Sequence, residues 1–135
     1  MNLESIFLAG CVAGLAMNVL DFITNALLFG DAWNSAYAAL HITPTAAIPV
    51  FWICFDFASG VIVAFLYAAL RPRFGAGPKT ALVAAGVQWL LVHLTLLSHL
   101  ADHVFPWAVL VGTATLELVS ALVGGLVAGR LYREI

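Results

Sequence analysis

The chain carries four long runs of apolar residues, separated by short polar segments. The runs cover residues about 5–29, 49–70, 80–100 and 107–131. A helix needs roughly 20 mostly apolar residues to cross a bilayer. The runs are apolar on every face, which argues against a soluble bundle with a charged outer stripe. We predict an all-α membrane protein in which four transmembrane helices form one bundle over residues 1–135.

The first connection between spans is predicted to contain a short helix over about residues 31–42. Asp31 stands where a helix N-cap is expected. Four later residues then share one face: Trp33, Ala36, Tyr37 and Leu40. Aromatic residues concentrate at the membrane–water interface. We therefore expect this helix to lie in the outer interface as an anchor, with a lid over a site as the alternative.

Composition agrees with a membrane protein and excludes other classes. Hydrophobic residues make up 64% of the chain and charged residues 9%, and the mean hydropathy is +1.07. A soluble domain usually has about 25% charged residues. The formal net charge is -2 and the chain has no basic run, so no nucleic-acid partner is expected. The predicted partner is the lipid bilayer.

The basic residues fall on one side of the predicted topology. Three lie between the second and third spans and two at the C-terminus: Arg71, Arg73, Lys79, Arg130 and Arg133. Positive charge marks the cytoplasmic side, so both termini are predicted to lie inside, in a bacterial inner membrane. In the same loop, Pro72 is expected to end the second helix and Pro78 to help start the third.

Three acidic residues, Asp21, Asp56 and Glu117, fall well inside predicted spans, where no Lys or Arg accompanies them. With a 1.5 Å rise per residue, they and His93 lie roughly 10–15 Å below the outer ends of the spans. Charged groups at that depth are costly and usually face the bundle interior or a water-filled cavity. Each carboxyl must therefore be protonated, hydrogen-bonded to Asn, Gln, His or water, or bound to a cation.

The spans share a gradient from small residues near the cytoplasm to polar residues near the outside. In the first span, Gly10 and Gly14 precede Asn18 and Asp21 on one stripe. Because small residues let helices approach closely, we expect a cup that opens outward. Its predicted ligand-binding residues are Asp21, Asp56, Glu117, His93, Asn18, Asn25 and Gln88. Hydrogen bonding between helices is the alternative role for the first-span residues, and Thr113 is expected to bond to its own helix.

Signals for a metal or a cofactor are weak. His99 and His103 have the i,i+4 spacing that can hold one metal ion, with Asp102 between them, but the full ligand set is missing. The chain has no haem-attachment motif. No cofactor is therefore predicted, with a haem or a metal as alternatives. Cys11 and Cys54 are placed near opposite ends of the bundle and are predicted to be free, buried thiols.

Two stretches of the sequence resemble a group of small, uncharacterised bacterial four-span membrane proteins. The first runs over residues 14–22 and continues to Asn25 and the segment 31–33; the second covers residues 67–81 together with the ending 131–134. These segments make up about a third of the chain. The resemblance implies the four-span topology and supplies no activity.

Three hypotheses follow for the function. The first is an outward-facing polar pocket that binds a small ligand or cation, with proton-coupled binding as an option. The second is an intramembrane enzyme in which a neutral carboxyl and His93 act as general acid and base on a lipophilic substrate. The third is a non-catalytic subunit of a larger membrane complex. Transport would need an oligomer, for which the GxxxG pairs Gly10/Gly14 and Gly125/Gly129 offer contact surfaces.

Overall fold

The computed structural model describes residues 1–134, apart from the side chain of Leu97. The described residues form helices joined by short connections and contain no strand. The elements are α1 (Leu3–Phe22), which continues into a π-helical segment (Ile23–Leu28), α2 (Gly30–Ala39), α3 (Ala47–Phe74), α4 (Pro78–Ala101) and α5 (Trp107–Leu131). Ile135, the last residue of the predicted domain, lies outside the described residues.

Four of the helical stretches are long and apolar enough to cross a membrane: Leu3–Leu28, Ala47–Phe74, Pro78–Ala101 and Trp107–Leu131. This confirms the all-helical class and indicates a membrane protein. The ends of these helices differ from the predicted spans by at most four residues, and α5 has the predicted bounds. Large apolar side chains such as Phe7, Leu91 and Trp107 are exposed, as expected for helices surrounded by acyl chains.

The predicted end of the second span at Pro72 is wrong. α3 continues through Pro72 to Phe74. A proline lacks the backbone N–H and crowds the carbonyl four residues earlier, and here the last turn accommodates both effects. The helix stops at Gly75, which has φ 84° and donates its N–H to the Arg71 carbonyl at 2.9 Å. Glycine adopts this left-handed conformation without strain. Pro78 begins α4, as predicted.

α1 and α3 pack backbone against backbone through three glycines. A Cβ at Gly10 would lie 2.5 Å from the Cα of Val61, and one at Gly14 would lie 2.6 Å from the Cα of Phe57. A Cβ at Gly60 would meet the Gly10 carbonyl oxygen and the Gly14 backbone nitrogen. The close approach of the two helices therefore depends on the absence of side chains at these positions.

The second glycine pair serves the contact between α5 and α4. A Cβ at Gly125 would lie 2.6 Å from the Cβ of Ala85, and one at Gly129 would lie 2.8 Å from the Cβ of Ala81. The prediction that the GxxxG pairs are available for contact between copies is thus wrong, because helices of the same chain already cover them.

The buried apolar residues gather in the half of the molecule that contains both termini and the loop after α3, which we call the terminal end. Most are alanines, with Ile6, Met17, Val63, Tyr67 and Tyr132 among the larger ones. This dense half agrees with the narrow base of the predicted cup.

Polar contacts hold the two termini and the end of α3 together. The Asn2 N–H donates to the Tyr132 hydroxyl at 3.3 Å. The Glu134 carboxylate lies 3.6 Å from the Arg71 guanidinium and 3.7 Å from the N-terminal amine. These contacts place both termini and the end of α3 on one side of the four long helices.

The two cysteines are free, as predicted, but they are not buried. Cys11 is half-buried and Cys54 is exposed. The prediction failed on burial because Cys54 lies on the part of α3 whose apolar side chains, such as Phe51 and Ile53, are exposed along with it.

Candidate functional site

The hydrogen-bonding pattern of α1 changes directly after Phe22. In the π-helical segment Ile23–Leu28, each turn holds about one residue more than in an α-helix, and the Phe29 N–H donates to the Thr24 carbonyl, five residues back, at 2.9 Å. The segment carries Asn25, whose Nδ2 donates to the Asp21 carbonyl at 3.2 Å. Sequence analysis missed this feature because no proline or glycine marks it.

α2 folds back toward the segment that precedes it. The Trp33 indole donates from Nε1 to Asn25 Oδ1 at 3.0 Å. Its ring packs edge-on against Phe105 in the connection between α4 and α5, with centroids 5.5 Å apart. The prediction that Asp31 caps α2 is wrong, because the helix begins at Gly30 and Asp31 lies in its first turn. The contact with Asn25 ties α2 to the polar residues below it.

Glu117 connects three of the long helical stretches. Asn25 Nδ2 donates to Glu117 Oε1 at 3.3 Å, and Glu117 Oε2 lies 3.1 Å from His93 Nε2. The other ring nitrogen of His93, Nδ1, lies 2.8 Å from the Trp89 carbonyl oxygen. The imidazole also stacks on the Trp89 indole, with centroids 4.6 Å apart. Glu117 is therefore hydrogen-bonded to Asn and His, which is one of the three states expected for a carboxyl at this depth.

The geometry around His93 fixes its protonation pattern. A backbone carbonyl can only accept a hydrogen bond, so Nδ1 must carry the proton donated to Trp89. The contact between Nε2 and Glu117 then needs one further proton, either on the imidazole or on the carboxyl. In the first case an imidazolium faces a carboxylate, and in the second a neutral imidazole faces a carboxylic acid. The pair has no net charge in either case.

Asp21 on α1 and Asp56 on α3 are the other two carboxyl groups at this level. Their charges interact with each other, and the Ser120 side chain is among the groups that interact with Asp21. Asp56 is only 8% exposed. Asp21 Oδ1 is buried and has no hydrogen-bond partner among the described residues. Buried polar atoms are seldom left unpaired, so this oxygen is the acceptor of the site that is open to a further donor.

We call Asp21, Asn25, Asp56, His93 and Glu117 the polar layer. One ionisable side chain comes from each of the four long helical stretches, and their charges interact across the layer. Depth and helical spacing in the sequence placed these four residues at similar levels. Sequence analysis did not predict the contributions of Trp33, Trp89 and Ser120, whose side chains carry no signal of a site on their own.

Two of the predicted site residues have other contacts. Asn18 donates to the carbonyls of Gly14 at 3.1 Å and Ile53 at 3.2 Å, so it serves the α1–α3 contact, which was its alternative role. Gln88 is buried, with 6% exposed, and no hydrogen bond in the described part of the chain links it to the polar layer. Thr113 donates to the Val109 carbonyl of its own helix at 2.9 Å, as predicted.

The weak metal candidates lie away from the polar layer. Asp102 and His103 are exposed, and the His99 ring packs edge-on against Phe105 with centroids 6.3 Å apart. Within residues 1–134, no three His, Cys, Asp or Glu side chains are arranged to hold a metal ion.

Two surface grooves occupy opposite ends of the molecule. One, of about 420 Å³, lies at the terminal end between residues near Ser5 and Arg133. The other, of about 890 Å³, lies between α2 and the start of α5, next to Phe105. Neither groove is lined by a residue of the polar layer, whose side chains are bonded mainly to each other and to nearby backbone.

Comparison with known proteins found no matching family model, no matching curated protein and no matching solved structure. The resemblance to small bacterial four-span proteins therefore stays a prediction.

Proposed function

We propose that the chain is an integral membrane protein whose polar layer binds a small ligand or cation, with binding coupled to proton exchange. One observation carries this proposal. Asp21, Asp56, His93 and Glu117 come from four different helical stretches and interact with one another within the apolar part of the molecule. Carboxyl groups are costly at such depth and usually serve a pathway, a relay or a ligand.

The unpaired oxygen of Asp21 favours a binding site over a purely structural layer. A structural network is most stable when every buried polar atom is paired. Here Glu117 meets that condition through Asn25 and His93, whereas Asp21 Oδ1 has no partner among the described residues. A ligand that donates a hydrogen bond or carries positive charge would supply the missing contact.

The enzyme hypothesis has weaker support. A general base must present a free nitrogen to its substrate. Both ring nitrogens of His93 are already engaged, one by Glu117 and the other by Trp89. Catalysis would require the Glu117 contact to break. The hypothesis of a non-catalytic subunit stays open as the alternative that the experiment below would favour if no ligand binds.

The proposed orientation places both termini and the loop after α3 in the cytoplasm of a bacterium, with the protein in its inner membrane. The five basic residues flank that loop or lie near the C-terminus: Arg71 and Arg73 in the last turn of α3, Lys79 in the first turn of α4, and Arg130 and Arg133. Such charge is retained on the cytoplasmic side. α2 would then lie in the outer interface, where Trp33 and Tyr37 suit the headgroup region. Through its bond to Asn25, Trp33 would cover the polar layer from outside.

Thermal unfolding in detergent micelles tests ligand binding by the polar layer. The probes are methylammonium, tetramethylammonium and sodium chlorides at matched ionic strength. A ligand present at 100 times its Kd stabilises the folded state by about 2.7 kcal/mol. We expect at least one probe to raise the Tm of the wild-type protein, and Asp21→Asn and Asp56→Asn to abolish that rise.

Thr115→Val is the matched control. Thr115 lies on α5, two residues before Glu117, but it is exposed and donates only to the Val111 carbonyl of its own helix. This variant should respond to the probes as the wild-type protein does. An equal response in the Asp variants would place binding elsewhere, and the absence of any response in the wild-type protein would contradict the proposed function.

A further inference from the structure

The groove at the terminal end combines two charged side chains with an apolar wall. It has a volume of about 420 Å³ and lies between the first turns of α1 and the end of α5. Pockets that hold small molecules usually measure about 300–1,000 Å³, so the groove has room for part of a ligand and not only for a water molecule. Its lining residues include Glu4, Ser5, Leu8, Val12, Leu131 and Arg133.

Along α1 the groove changes from polar to apolar. Glu4, Leu8 and Val12 are spaced four residues apart, so they share one face of the helix and extend over about 12 Å. Leu8 is 58% exposed and Val12 is 48% exposed. In the proposed orientation, Glu4 lies at the level of the lipid headgroups, and Leu8 and Val12 lie at the level of the acyl chains. A ligand that fills the groove therefore has a polar head and an apolar tail.

The polar end of the groove offers one charge of each sign. The Arg133 backbone N–H donates to Ser5 Oγ at 2.7 Å, and this bond holds Arg133 against α1. Within residues 1–134, neither Glu4 nor Arg133 belongs to an ion pair, whereas Glu134 pairs with Arg71 and with the N-terminal amine nearby. The groove thus presents a carboxylate and a guanidinium that do not neutralise each other.

We propose that this groove binds one phospholipid whose headgroup carries both a phosphate and a primary ammonium group. The Arg133 guanidinium donates to the phosphate oxygens, an arrangement for which arginine is well suited. The Glu4 carboxylate accepts N–H bonds from the ammonium group, and one acyl chain lies along Leu8 and Val12. This site is separate from the polar layer and goes beyond the function proposed for it.

Charge complementarity selects this headgroup over the other common ones. A glycerol headgroup brings the negative phosphate without a cation, so the Glu4 carboxylate would repel the lipid. A choline headgroup carries a trimethylated ammonium, which has no N–H to donate to that carboxylate. Only the ethanolamine headgroup satisfies both charged side chains of the groove with hydrogen bonds.

Native mass spectrometry of the protein in detergent micelles tests the lipid preference. The protein is mixed with equal amounts of three dioleoyl phospholipids, which carry ethanolamine, glycerol or choline headgroups. An exposed ion pair contributes modestly, so we expect the ethanolamine lipid to bind about threefold more tightly than either of the others. The wild-type protein alone gives this result, which therefore does not depend on the folding of any variant.

Charge reversal at Glu4 sharpens the test. Glu4→Lys makes both charges of the groove positive, and we expect the preference to switch to the glycerol lipid. Arg133→Gln should weaken the binding of all three lipids. Arg73→Gln is the matched control, because Arg73 is an exposed arginine at the same end that does not line the groove. This variant should keep the wild-type preference.

The possible failures are distinguishable. Equal binding of the three lipids by the wild-type protein, or a preference for the glycerol lipid, would overturn the proposed headgroup. An unchanged ethanolamine preference in Glu4→Lys would place the bound lipid outside the groove and overturn the site. A lipid-free dimer that Arg133→Gln abolishes would identify a second copy of the chain as the occupant and overturn the lipid proposal. The function proposed for the polar layer would stand in each case.

Discussion

Glu117 has two hydrogen-bond partners of different kinds, and this arrangement sets the consequences of replacing it. Glu117→Gln preserves both contacts, because the new carbonyl can accept from Asn25 and the new amide can donate to His93 Nε2. Glu117→Ala leaves Asn25 and His93 without their partner. An unpaired buried polar group costs about 1–3 kcal/mol. We therefore expect the Ala variant to be less stable than the Gln variant by about that amount, measured as the free energy of unfolding in mixed detergent micelles.

Equal stability of the two variants would contradict that prediction. It would mean that water replaces the carboxyl at no cost, and hence that the polar layer is already hydrated. The difference between Gln and Ala is the informative quantity, because both substitutions remove the same ionisable group.

Gly60 gives the clearest test of the close packing between α1 and α3. Gly60→Ala places a Cβ against the backbone of Gly10 and Gly14, and backbone cannot move aside as a flexible side chain can. Overpacking usually costs about 1–3 kcal/mol. The matched control is Gly86→Ala in α4, whose Cβ meets nothing within 4 Å. We expect Gly60→Ala to lower the Tm clearly, and Gly86→Ala to leave it unchanged or raise it through better helix propensity.

The sequence identified the ionisable residues of the site but not all of their partners. Asp21, Asp56 and Glu117 were recognisable because a carboxyl within an apolar run, without Lys or Arg, is unusual. The pairing of Glu117 with His93 could not be recognised from the sequence, because it depends on how Trp89 stacks on the imidazole and donates to the Ala114 carbonyl of α5. Side-chain stacking of this kind depends on helix rotation, which helical spacing alone does not fix.

At the scale of the elements, apolar run lengths predicted the long helices well, and local backbone events explain the differences. α3 continues through Pro72 and ends at Gly75, whose left-handed φ stops the helix. The π-helical segment after Phe22 has no sequence marker, yet it helps to set the position of Asn25 relative to Glu117. Short-range signals thus predicted where helices exist, while their exact ends and irregularities depended on tertiary contacts.

Trp33 should hold α2 in place, and the mobility of α2 in a Trp33 variant tests this. Trp33→Phe keeps an aromatic ring against Phe105 but removes the indole N–H that bonds Asn25. We expect faster hydrogen exchange of the backbone amides of Gly30–Ala39, with little change in the long helices. Trp52→Phe is the matched control, because Trp52 is 47% exposed and its ring packs against Phe51 and Phe55 of its own helix. Similar exchange in both variants would show that Trp33 does not restrain α2.

At the scale of the whole molecule, dense packing and positive charge occur at the same end. Alanines and glycines hold the helices together near the termini, and the ion pairs of Glu134 join the N-terminus to Arg71 there. Exposed ion pairs contribute only about 0–1 kcal/mol, so they do not account for the stability of this end. The basic residues at this end have a different consequence in the proposed orientation, because positive charge is retained on the cytoplasmic side of a membrane.

That orientation can be measured by cysteine labelling in intact bacteria. In a Cys11→Ala, Cys54→Ala background, Thr43→Cys lies in the connection after α2 and Ala76→Cys lies in the loop after α3, and both positions are exposed. Because the basic residues belong to the side of Ala76, we expect a membrane-impermeant maleimide to label position 43 in intact cells and position 76 only after permeabilisation. The reverse pattern would place the polar layer nearer the cytoplasmic surface, and the ligand would then have to enter from inside the cell.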